Sequence, residues 1–347
     1  MADEALHLLD LDRPRLVEWT TEVGLERYRA DQVLRWVYQR RAASFDEMTN
    51  LSKVLRERLA AEIVIYTSQI ERDDRSKDGT FKLLLRWPDG AASECVMIPA
   101  DSRRTVCVST QVGCPVGCTF CASGSDGLER NLTAGEIVEQ VMQAWRQLPE
   151  DQRISHVVFM GIGEPLANYD ATVAAIRTLN AEWGPNIGAR RITLSTIGLA
   201  KQIRRLAGEG LQINLAISLH APNDALRREI VPWAERTSID DLVDAARDYF
   251  DRTGREVTLE YVLLAGVNDR PTQARRLAAV ARQMRCNVNL IRYNPVSGLG
   301  YERPSDEAAH AFAEVLKKAG ANAHIRASRG SDIEAACGQL RRRGANL

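Results

Sequence analysis

Apolar positions along the chain form three successive patterns. In residues 1–62 they recur every three or four positions within RPRLVEWTTEV, YRADQVLRWVYQR and LSKVLRERLAAEI. This spacing puts them on one face of a helix, and Asp31 and Ser52 lie near plausible helix starts. Next, GTFKLLLRW and ASECVMIP flank Asp89-Gly90, a pair that favours a hairpin turn. We therefore predict a helical region over 1–62 and a β-hairpin extension over 63–100.

The third pattern alternates short apolar runs with amphipathic, helix-like stretches. The runs are TVCVST, HVVFMG, RITLST, INLAISL, VTLEYVLL and NVNLIRYNP. About six β/α units in series predict an α/β fold with a parallel sheet, either open or rolled into an incomplete barrel. We assign residues 101–300 to this core. Residues 301–347 are assigned to a helix (SDEAAHAFAEVLKKAG), a short strand (AHIRAS) and a tail.

Glycine and polar residues follow several of the predicted strands directly. In parallel α/β folds, ligand sites form at the carboxyl ends of the strands. We therefore expect one rim of the sheet to collect a single site. The residues that fall on this rim are Cys114 to Cys121, Gly161 to Glu164, Ser195, Ser218 and Asn294.

Composition narrows the class of protein without indicating a function. The chain has 347 residues, of which 45% are hydrophobic and 27% charged, as in a globular protein with one large domain and a smaller one attached. No run approaches the roughly eighteen apolar residues of a membrane helix, and the acidic start has no signal region, so we expect a cytoplasmic protein. The 46 basic and 46 acidic side chains balance, which neither demands nor excludes a nucleic-acid partner.

The seven cysteines are too few and too unevenly placed for a secreted disulfide scaffold. Cys114, Cys118 and Cys121 stand close together in the glycine-rich stretch QVGCPVGCTFCASG, where packing alone explains three thiols poorly. A zinc site would need a fourth ligand from a distant Cys or His, because there is no second CxxC pair. A cubane iron-sulfur cluster also normally takes four thiolates, so three would leave one iron open.

The CxxxCxxC spacing, with Phe120 before the last cysteine, resembles the radical S-adenosylmethionine (SAM) superfamily. The resemblance implies a 4Fe-4S cluster on the three cysteines, with SAM bound to the open iron. FMGIGEPL resembles the GGE-type motif of the superfamily, so Gly163 and Glu164 are expected to contact the methionine end of SAM. The alternative, a dinucleotide-binding GxGxxG loop, lacks its third glycine, which is Leu166 here. The same resemblance completes the SAM wall with Ser195, Ser218, Leu219, His220 and Asn294.

Motifs outside the cysteine loop narrow the resemblance. In chain order they are ECVMIP, CVSTQVGCPVGCTFCASG, RNLTAGEIVEQV, GIGEPLANYD, ITLSTIGL, ISLHAPND, EYVLLAGVND, RYNP and SRGSDIEAACGQL. Together they are similar to the RlmN/Cfr family of RNA adenosine methyltransferases, over roughly residues 10 to 343. The resemblance implies a partial (β/α)6 TIM-like radical SAM barrel, preceded by a small α+β accessory domain that binds RNA.

The resemblance also gives three further residues a catalytic role. Carbon 2 of adenine is electron-poor and cannot attack the sulfonium methyl of SAM, so the family uses one SAM to methylate a cysteine and a second to generate a radical. Cys337 would carry the methyl group as S-methylcysteine, and Cys107 would resolve the protein-RNA adduct, leaving a transient disulfide. Glu94 would accept the carbon 2 proton. Without the resemblance these three would be predicted as packing or solvated residues, as Cys95 and Cys286 still are.

An adenosine in RNA is the implied substrate. The main branch of the family methylates carbon 2 of an adenosine in 23S rRNA and of one beside the tRNA anticodon, whereas the resistance branch methylates carbon 8 of the rRNA base. GEPLANYD and SRGSDI favour carbon 2. We also expect a monomer, an electron donor such as flavodoxin, and no membrane partner. The basic groups expected to contact phosphates are Arg103-Arg104, Arg190-Arg191, Arg204-Arg205 and Arg341 to Arg343.

Two other classes of function stay open at the level of sequence. One is a radical SAM enzyme that acts on a peptide or small molecule, in which Cys337 would be structural. The other is a non-enzymatic RNA-binding or zinc-stabilised scaffold. Iron and acid-labile sulfide analysis after anaerobic reconstitution separates them, because the cluster requires about four irons per chain.

Overall fold

The computed structural model describes residues 6–125 and 127–341 of the chain. The helices are α1 (Arg13–Glu22), α2 (Tyr28–Arg40), α3 (Lys53–Glu62), α4 (Ala134–Arg146), α5 (Tyr169–Asn180), α6 (Ala200–Ala207), α7 (Asp224–Ile230), α8 (Ile239–Thr253), α9 (Pro271–Ala281) and α10 (Asp306–Lys318). The strands are β1 (Leu6–His7), β2 (Ile63–Val64), β3 (Gln69–Arg75), β4 (Phe81–Arg86), β5 (Ala92–Ala100), β6 (Arg103–Cys107), β7 (Gln111–Gly113), β8 (Leu128–Asn131), β9 (His156–Phe159), β10 (Ile192–Thr196), β11 (Asn214–Ser218), β12 (Val257–Leu263), β13 (Cys286–Arg292) and β14 (Ala323–Arg326).

The three predicted amino-terminal helices are confirmed. Asp12 and Ser52 cap α1 and α3, because each side chain accepts a hydrogen bond from the backbone N–H three residues ahead, at 2.9 and 3.3 Å. Ser52 is thus confirmed as a helix start. Asp31 instead lies in the first turn of α2 and pairs with Arg13 at 2.6 Å.

A ten-stranded sheet, in the order β14-β13-β12-β11-β10-β9-β6-β5-β4-β3, forms the frame of the described residues. The strands from β6 to β14 in this order pair in parallel, and β5, β4 and β3 continue the sheet as antiparallel neighbours. The predicted hairpin is β4 and β5. Because β5 pairs directly with β6, the sheet crosses the boundary that the sequence placed at residue 100, and the domain limits stay a prediction.

Alternation along the parallel strands separates a helix-packed face from an inner face. Leu194, Leu215 and Leu259 belong to the large buried cluster that also includes helix residues. Ser195 and Ser218 occupy alternate positions of the same strands and line a cavity. That cavity is lined by the ends of strands from β9 to β14, so the sheet curves into the expected partial barrel. None of the helices in the described ranges has the length and apolar character needed to cross a lipid bilayer.

The two edges of the sheet, β14 and β3, are linked by the segment that follows β14. The backbone N–H of Gly330 donates to the Asp78 carboxylate in the β3-β4 turn at 3.1 Å. Nearby, the Ser76 hydroxyl donates to the Asp332 carboxylate at 2.7 Å. Gly330 has a φ of 62°, and a Cβ there would lie 2.8 Å from the Thr80 side chain, so this close approach needs glycine. The segment therefore spans the open side of the barrel.

Candidate active site

The three clustered cysteines lie in the loop between β7 and β8, which pair with each other in antiparallel fashion. The Cys114 N–H donates to the Gly127 carbonyl at 2.9 Å, and the Cys121 N–H donates to the Cys118 carbonyl at 3.1 Å. Gly113 has a φ of 75°, and a Cβ there would lie 2.0 Å from the Gly127 carbonyl oxygen. Only glycine lets the two strands close this tightly. The loop therefore turns all three thiols towards one cavity.

The surroundings of these thiols suit an iron-sulfur cluster. The cysteines are half-buried and pack against an apolar group that includes Val116, Phe120 and Tyr293. Burial raises the pKa of each thiol, to about 12 for Cys114, so a strong positive charge such as iron has to stabilise the thiolates. In the described ranges no three His, Cys, Asp or Glu side chains are arranged to hold a metal ion. A cubane cluster binds each thiolate through a different iron and does not need them to converge on one point.

The cysteine cavity, as we call the cavity lined by this loop, has a volume of about 140 Å³. It gathers most of the residues that were predicted as cluster and SAM contacts. Leu219 does not line it, because its side chain is buried in the core. Asn294 does not line it either, and belongs to a neighbouring cavity. The predicted residues on its wall are Cys114, Cys118, Cys121, Gly163, Glu164, Ser195, Ser218 and His220.

The turn after β9 fixes Glu164 in the cavity wall. Gly163 has a φ of 106°, and a Cβ there would lie 2.7 Å from the Gln111 side chain. The Glu164 N–H donates to the Gln111 side-chain oxygen at 2.8 Å, and the Glu164 carboxylate accepts the N–H groups of Leu166 and Ile197 at 2.9 and 2.8 Å. Burial raises the pKa of this carboxyl to about 7, although the Ile197 N–H opposes the shift. Glu164 is therefore a fixed acceptor on the cavity wall.

Ser195, Ser218 and His220 form a polar strip on the neighbouring strands. The two serine hydroxyls lie 3.3 Å apart. The Nδ1 atom of His220 accepts the Val262 N–H at 3.1 Å, and burial, with a contribution from Arg227, lowers the pKa of the ring to about 3. His220 is therefore neutral and carries its proton on Nε2, so it offers the cavity a hydrogen-bond donor.

A second cavity adjoins the first, and the two share Cys337. The second cavity is lined by Cys107, Asn294 and Arg326, among others, and Cys337 and Arg326 line both. Cys337 is exposed towards these spaces, whereas Cys107 is buried in the wall of the second. The described cysteines form no disulfide. The structure thus brings the two outlying cysteines of the sequence together beside the cysteine loop.

Backbone contacts hold Cys337 at this junction. The Asn294 amide donates to the Cys337 carbonyl at 3.2 Å, and the Ala122 N–H donates to the Gly338 carbonyl at 2.9 Å. Burial among protein atoms raises the pKa of the Cys337 thiol to about 11, with the positive charge of Arg326 opposing it. Burial likewise raises the pKa of Cys107 to about 12, and the neighbouring Cys337 adds to the shift.

Glu94 lies behind this junction and lines neither cavity. Its side chain is about 1% exposed, its Oε1 atom lies 3.1 Å from the Lys82 ammonium, and its Oε2 atom accepts the Arg341 N–H at 3.0 Å. Burial raises the pKa of the carboxyl to about 7, although Lys82 opposes the shift. Because Val96 pairs with Cys107 across β5 and β6, Glu94 faces the same side of the sheet as Cys107, whereas Cys95 faces the helix-packed core.

Several residues of the site were not predicted from the sequence. Arg326 and Met160 line both cavities, and Glu260 lines the cysteine cavity. The Arg326 guanidinium lies 3.7 Å from the Glu260 carboxylate. Glu260 does give a signal, since it interrupts the apolar run VTLEYVLL, and Arg326 ends the short strand AHIRAS.

The basic groups predicted to contact RNA lie mostly away from the cavities. Arg103 begins β6 and Arg191 directly precedes β10, so both lie at the amino ends of the parallel strands, opposite the cavities. Arg204 and Arg205 occupy the last turn of α6, and Arg205 pairs with Asp170 at 2.7 Å. Arg341 lies beside Glu94, whereas residues 342 and 343 fall outside the described ranges.

An incomplete α/β barrel with a three-cysteine loop at the carboxyl ends of its strands defines a radical SAM protein. Consistent with this, residues 108–278 match the family model described as "Radical SAM superfamily". Residues 6–65 match the model described as "Ribosomal RNA large subunit methyltransferase N-terminal domain". The chain belongs to the RlmN family, as its similarity to individual members shows.

Several relatives carry the name "Probable dual-specificity RNA methyltransferase RlmN". The protein from Rhodopirellula baltica is 47% identical, over 97% of this chain and 91% of the relative. The protein from Alkaliphilus oremlandii is 48% identical, over 98% of each chain. A crystal structure of a radical SAM methyltransferase from Sphaerobacter thermophilus is 48% identical and superposes with a TM-score of 0.95, covering 97% of this chain and 99% of that one.

Proposed function

We propose that this chain methylates carbon 2 of an adenosine in 23S rRNA and of an adenosine in tRNA, through S-methylcysteine at Cys337 and a transient protein-RNA adduct. The observation that carries the proposal is the position of Cys337, which lines both the cysteine cavity and the cavity that contains Cys107. The name "dual-specificity RNA methyltransferase" of the relatives supports two RNA substrates.

The cysteine cavity is the proposed site of both cofactors. Cys114, Cys118 and Cys121 would hold the 4Fe-4S cluster, and the Glu164 carboxylate would accept a hydrogen bond from the ammonium group of SAM. When bound, the cluster and two successive SAM molecules would supply the methyl group and a radical that removes a hydrogen atom from it. Gly163, Ser195, Ser218 and His220 would form the rest of the SAM wall, and Leu219 would support that wall from the core.

The two outlying cysteines would divide the sulfur chemistry between them. Cys337 reaches the cysteine cavity, so its thiolate can take a methyl group there, and it also borders the second cavity. Once the adduct has lost the carbon 2 proton and one electron, which the oxidised cluster could take back, the Cys107 thiolate would attack the Cys337 sulfur. The sulfur-carbon bond would break with its electrons on carbon, that carbon would take up a proton to become the methyl group of the base, and a disulfide would form. Arg326 opposes the rise in pKa of both thiols and so favours the thiolates. Asn294 would hold the Cys337 backbone during these steps.

Glu94 would accept the proton that leaves carbon 2. A pKa of about 7 suits a general base that works near neutral pH. Glu94 lines neither cavity and one of its oxygens accepts the Arg341 N–H, so the backbone at Arg341 would have to move before the carboxylate could contact a base.

The test is mass spectrometry of rRNA and tRNA nucleosides from a strain that lacks its own adenosine carbon 2 methyltransferase and expresses this chain. We expect 2-methyladenosine in both RNAs, its loss in Cys337→Ala, and its retention in Cys286→Ala. If the rRNA contains 8-methyladenosine instead, the methylated atom is carbon 8 and not carbon 2. Unmodified RNA from a chain that binds about four irons would point to a peptide or small-molecule substrate, and a zinc-only chain would exclude the enzyme.

A further inference from the structure

Cys337 stands in the middle of a short loop whose two ends meet the same ion pair. We call residues 334–341 the presenting loop. The Lys82 ammonium donates to the Glu334 carbonyl at 3.3 Å, three residues before Cys337. The Glu94 carboxylate accepts the Arg341 N–H at 3.0 Å, four residues after Cys337. Lys82 and Glu94 are themselves 3.1 Å apart, so one ion pair closes the base of the loop.

This ion pair is buried, and removing two charges from water is destabilising unless their remaining hydrogen-bonding groups find partners. The side chains of Lys82 and Glu94 are 3% and 1% exposed. A buried pair is often no more stabilising than apolar residues of similar size, so a gain in stability does not by itself account for this pair. Here the capacity left after pairing goes to the backbone of the presenting loop.

The strands place the pair directly beneath the presenting loop. Lys82 on β4 is opposite Val96 on β5, and Val96 is opposite Cys107 on β6. Residues opposite each other in a sheet share a face, so Lys82, Glu94 and Cys107 face the same side. The ion pair thus connects the strand face that carries Cys107 to the loop that carries Cys337.

The remaining charges around the pair belong to β3 and to the loop itself. The Arg72 guanidinium lies 3.7 Å from the Glu94 carboxylate, and the Asp74 carboxylate lies 3.9 Å from the Lys82 ammonium. The Arg341 guanidinium lies 3.4 Å from the Glu334 carboxylate and adds a second, more exposed link between the two ends of the loop. Among these groups, Lys82 is the cation that contacts both Glu94 and the loop backbone.

We propose that Lys82 is a positioning residue, which together with Glu94 clamps the base of the presenting loop and so holds the Cys337 thiol within reach of Cys107. The inference rests on the proposed function for its meaning in catalysis. The clamp itself depends only on contacts within the chain.

The test measures how readily the two thiols pair. The reconstituted protein is equilibrated anaerobically with reduced and oxidised glutathione, so that one oxidised glutathione accepts two electrons as Cys107 and Cys337 form a disulfide and two reduced glutathiones appear. Mass spectrometry after alkylation gives the fraction of this disulfide. In Lys82→Met we expect the effective concentration of the two thiols to fall by at least about tenfold, because the loop is no longer held at its base. Lys82→Arg, which keeps the charge, should stay closer to the wild type.

A double variant separates positioning from folding. Lys82→Met alone leaves Glu94 without its close partner, whereas Lys82→Met/Glu94→Leu replaces the pair by apolar side chains and should recover most of the free energy of unfolding. We expect this double variant to keep the low effective concentration. A wild-type disulfide equilibrium in a folded Lys82→Met chain, or its recovery in the double variant, would overturn the clamp.

Hydrogen exchange of the presenting loop gives a second readout that needs neither cofactor nor RNA. The Arg341 amide should exchange slowly in the wild type and at least about tenfold faster in both Lys82→Met chains. If the Arg341 amide of Lys82→Met exchanges as slowly as in the wild type, the proposal is wrong. If the wild-type thiols never pair but the amide loses protection in the variants, the clamp holds and the proposed role of Cys107 fails.

Discussion

Two buried charge clusters attach opposite ends of the chain to the barrel. The pKa of the buried carboxylate is lowered in one cluster and raised in the other. The amino-terminal cluster consists of His7, Asp10 and Glu139, and joins the region before α1 to helix α4. His7 lies 3.3 Å from Asp10 and 3.1 Å from Glu139. The carboxy-terminal cluster is the Lys82-Glu94 pair beneath the presenting loop.

The difference lies in the number of hydrogen-bond donors around each carboxylate. Glu139 accepts the backbone N–H and hydroxyl of both Thr67 and Ser68, in addition to its contact with His7. Burial tends to raise the pKa of Glu139, but these donors outweigh it and hold the pKa below its usual value. Glu94 has Lys82 and one backbone N–H as its close partners, and there burial wins and raises the pKa to about 7.

The comparison teaches that burial alone does not decide what a carboxylate does. A buried carboxylate with a full set of donors is ionised and contributes to stability. A buried carboxylate with fewer donors has a pKa close to neutral pH, so a small rearrangement around it can change its charge. The first arrangement suits a permanent attachment, and the second suits a site where atoms must move.

The largest expected effect concerns the loop that the carboxy-terminal cluster holds. Cys337→Ser should reduce methylation of RNA to background. Serine has no thiolate to take the methyl group and no sulfur with which Cys107 could form the disulfide that releases the product. Cys286→Ser, on β13 and remote from both cavities, is the matched control and should keep activity. Nucleoside mass spectrometry measures both. Carbon 2 methylation by a chain without Cys337 would remove its role as methyl carrier.

The next largest effect should appear in the stability of the amino-terminal cluster. Glu139→Leu leaves His7 and four polar groups without their acceptor, so the free energy of unfolding should fall by roughly 3–5 kcal/mol. Urea unfolding measures the change. Glu150→Leu, at an exposed position, serves as the control and should change stability by less than about 0.5 kcal/mol. Equal losses in the two variants would contradict the structural role of Glu139.

The same cluster should lose stability as the pH rises. Burial lowers the pKa of His7, but Asp10 and Glu139 more than compensate and raise it to about 9, above its ordinary 6.5. The stabilisation is fully present below the unfolded pKa of about 6.5 and is lost as pH rises through 9, by up to about 3 kcal/mol. Urea unfolding at several pH values should show the decline in the wild type and in His310→Gln, an exposed control, but not in His7→Gln.

The smallest expected change in stability belongs to Glu94→Gln. Glutamine keeps an oxygen for the Arg341 N–H and resembles the protonated carboxyl, but it removes the charge that pairs with Lys82. The free energy of unfolding at pH 7 should therefore fall by about 1–2 kcal/mol, less than in Glu139→Leu. Activity should nevertheless stop after the adduct forms, because no base removes the carbon 2 proton. A covalent protein-RNA band on a denaturing gel is the readout. Normal product release by this variant would remove Glu94 from the mechanism.

The sequence predicted most of the fold because the strands of the barrel are nearly continuous apolar runs. It did not predict β3, whose sequence QIERDDR is polar and mostly exposed at the edge of the sheet. It also did not predict α7, a short helix with only Ile230 and Arg227 buried. Both elements get their conformation from neighbouring strands and loops more than from their own pattern.

The candidate site was partly predictable for a similar reason. The cysteine loop and the turn at Gly163 and Glu164 are local motifs, so their spacing alone indicates what they can bind. The junction at Cys337 depends on a segment that returns to the barrel more than 200 residues after Cys107, which no local pattern encodes. Asn294 illustrates the limit, since its place after a strand predicted the correct rim but not which of two adjoining cavities it lines.

The segment that links β14 to the β3-β4 turn has a mechanical consequence. A barrel closed by strand pairing has a fixed circumference, because widening it breaks a ladder of backbone hydrogen bonds. This barrel is closed at its open side by side-chain contacts, among them those of Asp78, Ser76, Lys82 and Glu94, so its circumference depends on contacts that can break singly. Releasing these contacts would let the mouth of the cavities widen while every strand stays paired.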